Sequence, residues 1–266
     1  MPWVLKGLRD GVITSRWPKH ADGYFEKFSA TVRVIAGPTT ATRSQAAAAA
    51  ASCPTGAISD EPQPRLDRGR CILCGRCVQT APEWFSWEPG CATARLARET
   101  LVVGESDESD EALAALRQNL AARVRRLRRS VHLRHIDTGS DGSDEWEIQA
   151  LTNPVYDLHR LGIFFTASPR HADMLVVTGI GAAAMTEPLR RTLEAMPTPT
   201  VVVAVGTDAI SGGLIGGGYT GGVGIAGIVP VDVWVPGGPA SPFSILHGIL
   251  LALGRVPLPD AGSRRC

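Results

Sequence analysis

Met174-Leu175-Val176-Val177, closed by Thr178-Gly179, decides how the second half of this chain folds. The run is apolar at every position and too short for a helix, so it reads as a strand covered on both faces. Val201–Val205 repeats the pattern, and Val131–Ile136 and Val229–Val235 supply two further strands. Helical segments separate them. Glu145–Leu161 is broken near Asn153-Pro154, Glu187–Met196 lies between two strands, and Phe243–Leu253 closes the series. Apolar strands alternating with helices imply a parallel sheet with helices on both faces. Ligands of such sheets gather at the carboxyl ends of the strands. The loops there are Thr178-Gly179, Gly206–Gly213 and Pro236–Pro239.

Upstream, Cys71, Cys74 and Cys77 follow the spacing C-x-x-C-x-x-C, and Cys53 precedes Pro54. Thiolates at two-residue gaps on a tight loop reach one face of an iron–sulfur cube, and a remote Cys-Pro typically supplies the fourth ligand. Cys53-Pro54-Thr55-Gly56-Ala57-Ile58 resembles the end of one ferredoxin motif, and RCILCGRCVQTAP, from Arg70 to Pro82, resembles most of the next. The ligands of a second ferredoxin cluster would stand where Arg43, Ala46, Ala49 and Ala81 are found. One cluster is therefore expected to have lost every ligand and the other to have kept four. A four-cysteine zinc site usually pairs two C-x-x-C knuckles, whereas here three cysteines share one run. Disulfides do not fit a chain read as cytosolic. Cys91 and Cys266 have no motif around them and read as plain thiols.

The chain has 266 residues, a net charge of +1 and 44% hydrophobic residues, an ordinary soluble composition with no bulk charge for nucleic acid. The opening MPWVLKGLRDG lacks a continuous apolar core and reads as neither a secretion signal nor a membrane anchor. The longest uncharged stretch, Ala209–Val231, is crowded with glycine and interrupted by Pro230, so it reads as loops and short strands and not as a membrane span. Residues 1–37 form a basic lead-in, with Trp3, Val4, Leu5 and Leu8 beside Lys6, Arg9, Arg16 and Lys19; it could follow a partner or a membrane, or pack on its own domain. Residues 38–100 hold the cysteines and open on an alanine-rich helix, Gln45–Ser52. Residues 101–129 read as a linker helix, a solvated connector in preference to an anionic docking site. Its apolar stripe is Leu113, Leu116, Leu120, Val124 and Leu127, with Asp107 and Glu108 first and Arg123, Arg126, Arg128 and Arg129 last. Gly212–Gly224 lacks the Gly-Lys-Ser/Thr ending of a phosphate loop.

Residues 130–266 carry a resemblance. EIQALTNPVYDLHRLGIFFTASPRHADMLVVTG, from Glu147 to Gly179, resembles the small, cluster-bearing subunit of formate hydrogenlyase-type [NiFe] hydrogenases and the related quinone-site subunit of respiratory complex I. EPLRRTLEAMP, VVAVG, VPVDVWVPGGP and ILHGILLALGR continue it. The resemblance implies a [4Fe-4S] cluster in the sheet-end loops, beside the active site of a large partner. At each implied ligand position the cysteine is missing: Asp141, Asp144, Asp208 and Gly238 stand there. Hard oxygens do not suit a cubane built on thiolates, so this second cluster is expected to be absent. The carboxylates would have to protonate, pair with Arg, bind a hard cation such as Mg²⁺, or face water. Because the flanking blocks still match, cysteines returned to these positions could rebuild a cluster.

The expected architecture is α/β: a flavodoxin-like parallel sheet flanked by helices, preceded by a small α+β ferredoxin-like domain. The expected function is that of an iron–sulfur electron-transfer subunit of a hydrogenase-like or NADH:quinone oxidoreductase-like complex, with one [4Fe-4S] cluster on Cys53, Cys71, Cys74 and Cys77 and no self-contained active site. The alternative is a redox-inactive docking subunit whose cluster is structural. Expected partners are a large hydrogenase-like or complex-I-like subunit and membrane subunits, with no nucleic acid and no transmembrane segment in this chain. The expected location is the cytoplasm, or the inner face of the cell membrane through those partners.

Overall fold

The computed structural model of the chain describes residues 2–35, 43–103, 110–125 and 130–256. Asp107, Glu108, Arg126, Leu127, Arg128, Arg129 and Cys266 lie outside the described residues.

Two short helices open the chain. Helix α1 (Trp3–Asp10) buries none of its residues, and α2 (Gly23–Lys27) starts on Asp22, whose side chain accepts the Tyr24 N–H at 2.9 Å. Between them the segment is tied down. Ser15 N–H donates to the Val155 carbonyl at 2.8 Å, and buried Trp17 stacks on Phe25 with ring centroids 4.4 Å apart.

The cysteine-bearing unit follows. It comprises β1 (Thr31–Val34), α3 (Arg43–Ser52), β2 (Ile58–Ser59), β3 (Arg65–Asp67), α4 (Arg76–Thr80), β4 (Phe85–Glu88) and β5 (Val102–Val103). Strand β1 pairs antiparallel with β4, and β2, β3 and β5 form a separate antiparallel sheet. The unit thus recruits strand residues from both sides of 38–100. Alanine spacing explains how α3 packs on α4: Ala46 and Ala49 are fully buried, and so is Ala81 just past α4. These are three of the positions where a second ferredoxin cluster would have had its cysteines. Methyl groups now fill that space, and Ala49 and Ala81 join Val32, Leu66 and Phe85 in one apolar cluster.

Helix α5 (Asp110–Val124) is not simply solvated. Leu120 and Val124 are buried in the main core, and the Arg123 guanidinium binds both the Asp232 carboxylate and the Thr200 carbonyl. The remaining elements are β6 (Val131–Asp137), α6 (Ser143–Ala150), β7 (Ile163–Phe165), β8 (Met174–Thr178), α7 (Thr186–Glu194), β9 (Val201–Val205), α8 (Gly206–Ser211), β10 (Val233–Val235) and α9 (Pro242–Ala252).

Five strands run parallel in the order β10-β9-β8-β6-β7. Counted along the chain from β6 this is 2-1-3-4-5, the flavodoxin-like winding, whose switch point lies between β6 and β8. β8, β9 and β10 are buried at every residue, as their apolar sequences require. Helix α9 is buried along its whole length, because one side meets the sheet and Phe243 on another meets Trp17, Phe25 and Tyr156. The edge of β10 is covered by Arg95, which exchanges backbone hydrogen bonds with Trp234 at 2.9 and 2.8 Å.

Three elements depart from expectation. Strand β7 falls just after the segment read as a helix, on the sheet edge. The Gly206–Gly213 loop is largely the short helix α8. The strand expected over Val229–Val235 keeps only its last three residues.

Candidate functional site

Cys53, Cys71, Cys74 and Cys77 line one small cavity. Cys53 stands just past the end of α3, Cys71 and Cys74 lie in the loop before α4, and Cys77 lies in α4. The loop makes its turns at Leu73 and Gly75, both in the left-handed region with φ of 56° and 73°. Glycine is required at 75, where a Cβ would meet the Trp87 ring at 3.0 Å.

Backbone donors are aimed at the sulfurs. The Ala57 N–H donates to Cys53 Sγ at 3.3 Å, and the Leu73 and Val78 N–H groups favour the thiolates of Cys71 and Cys77. Burial works the other way. It pushes the Cys71 thiol up to about 12 and raises that of Cys77, and the other sulfurs of the cavity add to both effects. Four sulfurs lining one cavity, with N–H donors at Cys53, Cys71 and Cys77 and with Cys71 and Cys77 costly to ionise alone, are a donor set that suits a [4Fe-4S] cluster. Among the described residues no group of three or more His, Cys, Asp or Glu could hold a single metal ion. The four ligands of a cubane each bind a different iron, so such a set is spaced more widely than the ligands of one ion.

Arg68, three residues before Cys71, is a neighbour that the sequence reading overlooked. It is buried and paired with Glu88, and a thiolate at Cys71 favours its charge. Desolvation lowers its pKa from the usual arginine range.

The cavity abuts the carboxyl end of the parallel sheet. Thr207 Oγ1 lies 3.0 Å from the Cys71 carbonyl and 3.0 Å from the Gly237 carbonyl, so one hydroxyl sits between the cysteine loop and the β10 loop. Thr207 and Cys71 are 136 residues apart, and no sequence signal links them. Nearby, Arg98 clasps Asp67 with two hydrogen bonds of 2.9 and 2.6 Å, and a Cβ at Gly69 would meet Ile210 at 2.7 Å.

At this seam the positions where the resemblance implies cluster ligands come together in part. Asp144 is buried, accepts the Ala240 N–H at 3.0 Å, and nearly touches Gly206, where a Cβ would fall 1.8 Å from its carboxylate. Burial, then the charges of Asp208, Glu145 and Asp141, push Asp144 up to about 8. Burial and the charges of Asp141, Glu145 and Asp137 push Asp208 up to about 6. Asp141 is exposed and is held below the usual carboxylate range by the Ser143 hydroxyl and N–H, at 2.6 and 2.9 Å. Glu145 is fixed by the Ser140 hydroxyl at 2.8 Å and by the Thr178 hydroxyl. Gly238 packs its backbone on Ile72 of the cysteine loop. The seam is therefore acidic, with the Asp144 and Asp208 carboxyls held above the usual carboxylate range, and the cysteine loop lies along one side of it.

Comparisons with known proteins follow this geography. The family described as "NADH ubiquinone oxidoreductase, 20 Kd subunit" matches residues 142–252. Formate hydrogenlyase subunit 7 of Escherichia coli (strain K12) is 37% identical over 145 residues, 54% of this chain and 56% of that protein. The chain thus spans only 56% of the length of that relative. A protein named probable membrane-bound hydrogenase subunit mbhJ, from Pyrococcus furiosus, is 36% identical over 141 residues, 53% of this chain and 84% of that protein. A chain in the structure of the membrane-bound sulfane sulfur reductase, an archaeal respiratory membrane complex, superimposes with a TM-score of 0.44 at 27% identity, covering 50% of this chain and 74% of that one.

Proposed function

Because the chain belongs to the family of the NADH ubiquinone oxidoreductase 20 Kd subunit, we propose that it is an iron–sulfur subunit of a hydrogenase-like or complex-I-like oxidoreductase. It carries one [4Fe-4S] cluster on Cys53, Cys71, Cys74 and Cys77, in a ferredoxin-like domain fused ahead of the family domain. The observation that carries this reading is the convergence of the four cysteines, from two segments, on one cavity with N–H donors at their sulfurs. The strand–helix–hairpin–helix–strand order of residues 31–88, with the outer strands paired, supports the ferredoxin-like part.

A cluster bound there would store and pass single electrons. The chain's own residues hold the sulfurs, line their cavity with Val32, Ile58, Leu66 and Ile72, and place the Arg68 cation beside Cys71. The family domain offers no cysteine for an onward cluster: its positions hold Asp141, Asp144, Asp208 and Gly238. That loss favours a second reading, a docking subunit whose cluster stabilises the fold. Exposed Trp146, Leu214, Ile215, Tyr219 and Val223 lie near the sheet-end loops and would serve a large partner subunit in either reading.

The test is iron and sulfide analysis of protein purified without oxygen. About four of each per chain are expected, and Cys74→Ser should remove most of the visible absorption. Iron near eight per chain would overturn the single-cluster reading. A reversible one-electron signal at a potential reachable by a physiological donor separates electron transfer from a structural role.

A further inference from the structure

The N-terminal segment has an apolar surface that the fold leaves uncovered. Helix α1 buries no residue, and Trp3, Leu5 and Leu8 are 85%, 54% and 77% exposed. At 100° per residue, Trp3, Val4, Leu8 and Leu5 occupy one broad face, while Lys6, Arg9 and Asp10 occupy the other. The apolar surface continues past the Gly11 turn through Val12 and Ile13, 80% and 59% exposed, to a groove rimmed by Tyr24 and Phe28. Arg16 and Lys27 line the same groove. The segment is not a loose tail: the Ser15–Val155 hydrogen bond and buried Trp17 hold it against the body of the protein. Up to Phe28 it carries five Lys and Arg against three Asp and Glu, and Asp22 is already spent on capping α2.

We propose that α1 and the adjoining Val12–Phe28 surface form a docking site for an anionic lipid bilayer, with α1 lying in the plane of the interface. The chemistry favours lipid over a protein groove. An amphipathic helix with a wide apolar face, an aromatic ring at its edge and long cationic side chains on the opposite face suits the headgroup boundary, where lysine and arginine stems reach out to phosphates. The excess of cations adds attraction to an anionic surface. Among the described residues no helix is long and apolar enough to cross a membrane, so contact would be at the surface. The proposal does not depend on the iron–sulfur reading.

The experiment is flotation of the purified full chain with vesicles of phosphatidylcholine alone and of phosphatidylcholine with phosphatidylglycerol, at low and high salt. The wild type should float with the anionic vesicles, and binding should weaken as salt rises. Leu5→Ser with Leu8→Ser should abolish flotation. Lys6→Glu with Arg9→Glu should reduce the apparent partition coefficient by about tenfold or more on anionic vesicles. All four side chains are exposed, and unchanged circular dichroism will confirm that the variants fold. Failure of the wild type to float overturns the proposal, as does equal flotation of wild type and variants. If the leucine variants instead turn a dimer into a monomer by sedimentation while the wild type ignores vesicles, the surface binds a second copy and the lipid proposal is wrong.

Discussion

Gly238 packs on Ile72 so closely that a Cβ at 238 would lie 2.9 Å from the Ile72 Cα. The contact joins the loop after β10 to the loop between Cys71 and Cys74. A position where the family resemblance implies a cluster ligand is thus occupied by the neighbouring cluster loop. A side chain there must displace backbone, not a flexible side-chain end. Cysteines returned to 141, 144, 208 and 238 are therefore expected not to rebuild a second cluster, contrary to what the matching sequence blocks alone suggest. Iron should stay near four per chain in that quadruple variant. Gly238→Ala alone should lower stability by roughly 1–3 kcal/mol through overpacking, measured by urea unfolding. A fully stable Gly238→Ala protein would show that the seam can open.

Thr207 ties the same seam from the other side. Thr207→Val keeps the shape and removes the hydroxyl that the Cys71 and Gly237 carbonyls share. The expected cost is about 1–2 kcal/mol in unfolding, because a buried carbonyl loses its donor. Faster loss of visible absorption on exposure to a chelator should accompany it, since the cysteine loop is then less firmly held. Unchanged chelator sensitivity would separate the seam from the cluster.

Arg68 sets the charge next to Cys71. Reduction adds a negative charge to the cluster, so a neighbouring cation favours it. Arg68→Gln should lower the reduction potential by tens of millivolts, about 1 kcal/mol at an effective dielectric near 20. Since Glu88 is then unpaired and adds its own negative charge, Arg68→Gln with Glu88→Gln should recover part of the shift. A redox titration followed by electron paramagnetic resonance reads both. No shift in the single variant would place Arg68 outside the electrostatics of the cluster.

Some of this was legible in the sequence, and the reasons are local. The apolar runs 174–177 and 201–205 could only be strands buried on both faces, and they are. The cysteine spacing picked out four residues that share a cavity. Strand β7 escaped because Ile163-Phe164-Phe165 is an edge strand of three residues with Phe164 partly exposed, and it gives no periodic signal. Helix α8 escaped because Gly206 and Gly212 frame it, and both are there for left-handed backbone, with φ of 86° at each. Arg123, read as part of a solvated basic run, proved to be a tie to Asp232, which pattern cannot reveal. The contacts of Thr207 and Gly238 with the cysteine loop depend on how two separate sequence regions pack, and no local rule reports that.

Asp144 gives the fold a pH dependence whose sign can be worked out. Burial holds its carboxyl protonated up to about 8, whereas the unfolded chain releases the proton in the ordinary carboxylate range. Between those limits the native state binds one more proton than the unfolded state, so stability falls as pH rises from about 4 toward about 8. Asp208 adds a smaller loss of the same sign that ends near 6. Asp144→Asn removes the charge and keeps an oxygen for the Ala240 N–H. The variant should match the wild type at acid pH and exceed it by roughly 2–5 kcal/mol at pH 8.5, judged by urea unfolding at each pH. The gain should therefore build as pH rises from about 4 and level off above about 8, where the wild-type carboxylate is charged and buried beside Glu145 and Asp208. Parallel stability–pH curves for the two proteins would mean that Asp144 is solvated.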